Sequence, residues 1–322
     1  MRRWLADGCW PHHGRNFSSG MALSEWRLDA SSGGQVRVLT GADTGLHALY
    51  CSYVRSVFSR ADFAAWIGFG DWDANYRAFS ILEQDRIVAN AALTRMRLIL
   101  DGEEQLAWQM GAVGVLPEAR GRGLARIVIS AALDACSDAP VFLFANPKVR
   151  QFYPRFGFVA RQEHVFTHAF ACRPAGANGQ SERAPELDLT AKGSRDMIQR
   201  LSEHGLPTSK RFAARGYGGT IRWYLDNRLL APPRIVADDC LVFAQQRGDC
   251  LYIQDILSMR QFDLAACIPS LIEQPMTHLR FGFTPDVWWP SARAVRVDPE
   301  PDLYLRGMQT RGKHKFPVLA QT

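Results

Sequence analysis

Val113-Gly114-Val115-Leu116-Pro117-Glu118-Ala119-Arg120-Gly121-Arg122-Gly123-Leu124-Ala125 reads as a β-strand, a glycine-broken turn and the first turn of an amphipathic helix. Arg120 and Arg122 bring positive charge, and Gly121 and Gly123 let the backbone approach a ligand with no Cβ in the way. The helix that follows aims its unpaired N–H groups and positive dipole end at the same place. Such a turn suits a phosphate or pyrophosphate. A dinucleotide fingerprint Gly-x-Gly-x-x-Gly fails, because Arg126 stands where its third glycine belongs. A Walker loop fails for want of a closing Gly-Lys-Ser/Thr. What remains is Arg120-x-x-Gly123-x-Ala125, a pattern that an ordinary basic strand-to-helix turn also satisfies.

A second motif lies downstream. Val141-Phe142-Leu143-Phe144-Ala145-Asn146 is a short apolar run ending in a polar residue, as in a buried strand. Pro147 follows, placed as the first residue of a helix, and then Phe152-Tyr153-Pro154 and Phe156-Gly157-Phe158. The two motifs, in this order and one helix and one strand apart, resemble the acyl-CoA pyrophosphate loop and the thiol-flanking motif of the GCN5-related N-acetyltransferase (GNAT) superfamily. The resemblance covers roughly residues 35 to 170. Leu143-Phe144-Ala145-Asn146 with the two aromatic triplets is similar to a bacterial branch that carries a C-terminal extension.

The resemblance implies an α+β fold: a central mixed, mostly antiparallel sheet flanked by helices, with a second, smaller α+β GNAT-like domain after it. It implies an acyl-CoA-dependent N-acyltransferase, moving acetyl from acetyl-CoA, or another acyl-CoA, to a primary amine within a ternary complex. The cofactor-binding set it implies is Val113, Gly114, Val115, Arg120, Gly121, Arg122, Gly123, Leu124, Ala125, Asn146 and Phe152. Tyr153 falls where the superfamily often keeps the acid for the leaving thiolate, and a phenol near pKa 10 suits that task. A core tyrosine with a satisfied hydroxyl is the competing reading of the same residue. Asn146 is expected to share the catalytic site, binding pantetheine or a water while also capping the helix at Pro147. Gly114 is expected to permit a bulge or a close approach.

The general base is not legible. Gln109 lies on the cofactor strand, Glu118 beside the phosphates, and Glu104, Asp71 and Asp73 in turns. A base acting through water near Asn90 or Gln109, or an amine that arrives deprotonated, would both serve. Two alternatives to acetyl transfer follow. A longer acyl chain would need apolar room near Phe142, Phe144 and Phe152, and a CoA-binding sensor or assembly module would need no base at all.

Composition sets the outer limits. At 322 residues the chain suits two compact units, given roughly 100–200 residues per domain. Hydrophobic content of 47% and charged content of 22% describe an ordinary globular protein. A net charge of +6 favours anionic ligands but, with no basic run or basic–aromatic stripe, does not argue for nucleic acid. Seven dispersed cysteines fit a reducing, cytoplasmic setting. Cys9-x-x-His12-His13 lacks a second half, so no metal is expected. No run reaches the roughly 18–20 apolar residues of a membrane span.

Along the chain, residues 1–32 are expected to be loosely packed, with Met21 an alternative start. The expected organisation is a GNAT domain at 33–173, a breaker-rich linker at 174–186 and a degenerate GNAT-like unit at 187–322. The first domain should run strand (35–39), two helices (to 58, and 61–67), three antiparallel strands (76–82, 86–100, 105–116), the helix after Arg122, and a strand from Val159 to Phe170 that closes it. Trp66, Phe69, Trp72 and Tyr76 should crowd the acceptor wall, more as packing than as contacts. The second unit should pair strands 241–245 and 251–257, then a helix at 263–272, and strands at 276–283 and 287–289. It lacks an Arg-x-x-Gly-x-Ala turn, so it is not expected to bind CoA. Its apolar strands imply a face packed on the first domain or on another subunit, as in a homodimer. The acceptor, a small-molecule or peptide amine, is not readable from the residues.

Overall fold

The computed structural model describes residues 35–58, 61–175, 183–191, 193–296 and 301–322. The expectations for residues 1–32, and for most of the linker at 174–186, lie outside them. The first sheet begins with β1 (Val36–Leu39) and β2 (Tyr76–Glu83), then the long antiparallel pair β3 (Arg86–Leu100) and β4 (Glu103–Val115). Between β1 and β2 run α1 (His47–Val57) and the short α2 (Ala64–Gly68). After β4 come α3 (Leu124–Asp134), β5 (Val141–Phe144), a 3-10 segment Pro147–Phe156, and β6 (Val159–Arg161). The tight turns that join β2 to β3 and β3 to β4 use left-handed residues: Gln84 and Asp85 in the first, Asp101 and Gly102 in the second.

The strand expected to close this domain does not stay in it. The chain leaves the sheet after Arg161, and β7 (Val165–Cys172) joins a second sheet. Residues 162–164 between them are tied to the end of the chain: His164 N–H donates to His314 carbonyl, and Glu163 accepts from the Lys315 ammonium and the Phe316 amide. An alternating apolar pattern says that a run is extended; it does not say which sheet receives it.

The C-terminal half contains α4 (Ser194–His204), β8 (Phe212–Arg215), α5 (Gly218–Asp226), β9 (Arg234–Ala237), β10 (Cys240–Arg247) and β11 (Cys250–Ser258). It continues with α6 (Leu264–Leu271), β12 (Met276–Phe281), β13 (Arg293–Val295) and β14 (Leu303–Arg306). The expected strand at 287–289 is instead a turn, with the amides of Trp288 and Trp289 both donating to Pro285. The second sheet is ordered β13-β7-β12-β11-β10-β9.

Two strands cross the other way. In the first sheet, ordered β1-β2-β3-β4-β5-β14-β6, β14 is inserted between β5 and β6, and β8 pairs with the far end of β3. One apolar core therefore spans both halves: Phe79, Ile129 and Phe142 share it with Ile198, Phe212, Trp223 and Phe316. A smaller core lies between the second sheet and α6, around Val242, Ile253, Ile268 and Phe281.

Candidate functional site

β4 and β5 run parallel but pair only from Trp108–Val141 to Met110–Leu143. Beyond Met110, no strand among the described residues pairs with that edge of β4, so β4 and β5 part there. The parting coincides with a bulge. Asn90 opposes Gly114 and Ala92 opposes Gly111, so Ala112 and Val113 together face Ala91. Ala112 sits at φ +46, and its carbonyl accepts from Asn90 Nδ2 at 2.9 Å, while Ser80 Oγ donates to Asn90 Oδ1 at 2.8 Å. A fully buried Ser–Asn pair thus holds a left-handed alanine in place.

Of the two duties expected at Gly114, the bulge falls instead at Ala112–Val113, and the close approach is the one Gly114 serves. A Cβ there would lie 2.5 Å from Val57 Cγ1 and 2.9 Å from the Tyr53 hydroxyl. Only a glycine lets α1 cross β4 so closely. Tyr53, buried on α1 and set against Gly114, joins the candidate site, where its place on the apolar face of the helix alone did not put it.

At the end of β4 the chain makes the glycine turn. Gly121 and Gly123 take φ of +78 and +77, which explains why both are glycine. Among the described residues, the amides of Gly121, Arg122, Gly123, Leu124 and Ala125 have no acceptor within the protein. They form the donor row that an anion at the start of α3 would meet. The arginines are less direct. Arg120 Nε donates to Val115 carbonyl at 3.3 Å. Arg122 is turned away onto Glu83 at the end of β2, with Nη1 and Nη2 at 3.0 and 2.6 Å from its two oxygens. Its guanidinium holds the Glu83 carboxyl below the usual range. Arg86 in turn reaches Glu118 at 2.9 Å, so two ion pairs fasten the β2–β3 turn to the glycine turn.

On the β5 side, Asn146 Oδ1 accepts from the Lys148 amide at 3.0 Å, the capping half of its expected role. Phe152 is half-buried and packs edge-on to Phe156. The Tyr153 ring is buried among Phe152, Phe158 and Tyr304, so it carries packing whatever its hydroxyl does. Tyr304 arrives on β14, some 150 residues downstream in the chain, and no local signal could have placed it. Phe142 and Phe144 are packed against Phe316, with ring centroids 5.1 and 5.8 Å apart.

The carboxylates considered as bases are all engaged. Asp71 is held by two arginines, Asp73 accepts from Asn75, Glu104 pairs with Arg97 and Arg215, and Glu118 pairs with Arg86. Asn90 and Gln109 are spoken for as well. Gln109 Nε2 donates to Ala320 carbonyl at 2.9 Å and its Oε1 accepts from the Thr322 amide at 2.6 Å. This lays the buried segment 316–322 against the middle of β4, another contact invisible to a local reading. Among the described residues no group of three or more His, Cys, Asp or Glu could hold a metal ion, and no helix is long and apolar enough to cross a membrane.

Comparison with known proteins agrees with this geometry. Residues 66–160 match the family model described as an acetyltransferase (GNAT) domain. The chain thus carries a GNAT-type acetyltransferase domain over residues 66–160. Among solved structures it is similar to a conserved Enterococcus faecalis protein described as a probable N-acyltransferase, at 13% identity and a TM-score of 0.53, covering 85% of this chain and 72% of that one. A GCN5-related N-acetyltransferase from Kribbella flavida shares 14% identity over 86% of this chain and 72% of its own, with a TM-score of 0.48. Eis1 of Mycobacterium abscessus shares 14% identity over 73% of this chain, with a TM-score of 0.47; the chain spans 64% of Eis1. At these identities the likeness is one of fold, and it rests on the Enterococcus protein. No curated protein sequence matches the chain.

Proposed function

We propose that this chain is an acyl-CoA-dependent N-acyltransferase that moves acetyl from acetyl-CoA to a primary amine, on a small molecule or a peptide, by direct attack in a ternary complex. The observation that carries the reading is the parting of β4 from β5 beyond Met110, with the glycine turn and its open amides at the end of the same strand.

A thioester is already activated, so the protein's share is alignment and stabilisation of the developing oxyanion. The open edge of Val113, Gly114 and Val115 would hold the pantetheine and face the thioester carbonyl. The amides of Gly121 to Ala125, with Arg120 and Arg122, would hold the pyrophosphate, Arg122 exchanging Glu83 for a phosphate oxygen. The amine nitrogen then attacks the carbonyl carbon, the C–S bond breaks, and Tyr153 gives its proton to the departing thiolate while the amine releases one to solvent. Residues 187–322, which lack the glycine turn, would contribute to the acceptor side and to stability rather than to CoA binding.

One observation favours a second reading: every carboxylate weighed as a base already has a partner, as a CoA-binding module without turnover would allow. Calorimetry with CoA, followed by thiol release from acetyl-CoA across a panel of amines, separates the two. The enzyme reading expects saturable CoA binding and amine-dependent thiol release. Binding with no release on any amine would leave the binding module, and no CoA binding would remove both.

A further inference from the structure

The loop that leads from α2 into β2 is tied to the C-terminal half by a cluster of charge. Asp71 Oδ1 accepts from Arg222 Nε at 3.0 Å and Nη2 at 2.6 Å, and its Oδ2 accepts from Arg195 Nη2 at 2.6 Å. Arg195 also reaches Asp226, at 2.9 and 3.2 Å. Arg222 Nη1 donates to Gln199 Oε1 at 2.7 Å, and Gln199 donates in turn to Glu203 at 2.6 Å. The side chains of Asp71 and Arg222 are each 8% exposed. Two carboxylates facing two guanidiniums leave the quartet neutral, and the two bonds to Asp71 Oδ1 with the third to its Oδ2 make its burial tolerable. Arg195 also lies 4.0 Å over the ring of Phe69, whose other face is in solvent.

Contacts continue from Asp71 towards β4. The next residue, Trp72, donates its indole N–H to Tyr76 carbonyl at 3.1 Å and packs on Tyr50 and His47 of α1, with ring centroids 4.7 and 5.0 Å apart. The hydroxyls of Tyr50 and Tyr76 share a hydrogen bond. Along the same helix, Tyr53 and Val57 are the residues that rest on Gly114 beside the bulge. An 11-residue helix has little stability of its own, so its place over β4 is set by what it packs against.

We propose that Arg195 and Arg222 are positioning residues of the transfer site: by holding Asp71 they fix where α1 crosses β4, and so set the space in which the amine meets the thioester. The proposal rests on the acyltransferase reading above. It extends that reading by giving the C-terminal half a part in the rate, although that half carries no phosphate turn.

The test compares the full-length chain with Asp71→Asn, Arg195→Gln and Arg222→Lys, each at a temperature where circular dichroism shows it folded. CoA affinity, kcat and KM for the best amine of the panel, and hydrogen exchange of α1 are measured on one preparation. CoA affinity should be unchanged. The kcat of Asp71→Asn should fall by about 10- to 100-fold, the scale of a sub-ångström to ångström misplacement. Arg222→Lys should retain more of it, keeping the charge but not the fork. Exchange should quicken in α1 and not in α3. A lowered melting temperature with kcat per folded molecule intact would overturn the proposal. If the wild-type chain acylates no amine, it is the function reading that fails. Exchange then decides positioning alone, with unaltered α1 protection overturning it and loosened α1 supporting it.

Discussion

The glycine turn at 120–125 and the cluster around Asp71 both gather arginines, and water treats them differently. At the turn the arginines are exposed, each within reach of a surface partner, and the open donors are backbone amides that the glycines uncover. In the cluster the guanidiniums are largely withdrawn from solvent and committed to Asp71 of the opposite half of the chain and, for Arg195, to Asp226 of its own half as well. Exposed pairs are screened and worth little, so the turn can trade Glu83 for a phosphate at small cost. Buried pairs are costly to break, because the partner left behind keeps its charge without its solvent. One region is built to exchange partners and the other to keep them.

The largest expected effect lies in neither region. Tyr153→Phe should preserve fold and CoA affinity while lowering kcat by about 10²–10⁴-fold, with little change in the amine KM, if the phenol protonates the thiolate. A stable Tyr153→Phe chain with full turnover would leave the ring among Phe158 and Tyr304 as packing only. Next, Arg222→Met should cost about 3–5 kcal/mol in urea unfolding, since a buried carboxylate loses its fork. A loss no larger than that of a surface pair would erase the contrast between the buried cluster and the exposed turn.

At the turn, Arg120→Ala with Arg122→Ala should weaken CoA by about ten- to a hundredfold in calorimetry, with no change in melting temperature. Unchanged CoA affinity in this folded double variant would remove the phosphate assignment.

The smallest effect needs pH to expose it. Asp255 on β11 is fully buried; burial pushes its carboxyl up to about 7, while the Ile256 amide and the Tyr217 hydroxyl bond to Oδ1. Between the usual carboxylate value near 4 and about 7 the folded chain keeps a proton that the unfolded chain has released. Its stabilising share is therefore complete at the acid end and is lost as pH rises through the folded value. Urea midpoints at pH 5 and pH 8 should fall further in the wild type than in Asp255→Asn. Equal slopes would mean that this carboxyl titrates normally.

Much of the first sheet was legible. The strands at 76–83 and 86–100, the helix from Leu124 and the strand from Val141 follow from period, turn residues and glycine placement, all of which act within a few residues. The glycine turn was legible for the same reason, since φ > 0 at Gly121 and Gly123 is a local requirement. Local signals were weaker where two duties shared one residue. Gly114 announced a close approach, but that the neighbour is α1, and that Ala112 carries the bulge, depended on Asn90 and Ser80 meeting it from β3 and β2.

By itself the sequence determined the order of elements up to the second motif, the left-handed glycine turn and the residues on which the GNAT resemblance rests, because each is written in near neighbours and backbone freedom. Only the tertiary structure decided that β7 leaves the first sheet, that β14 enters it beside β5, and that Asp71 is shared by Arg195 and Arg222. Strand partners and buried ion pairs are chosen among groups far apart in the chain, by the shape and polarity of a core that does not exist until the chain has folded.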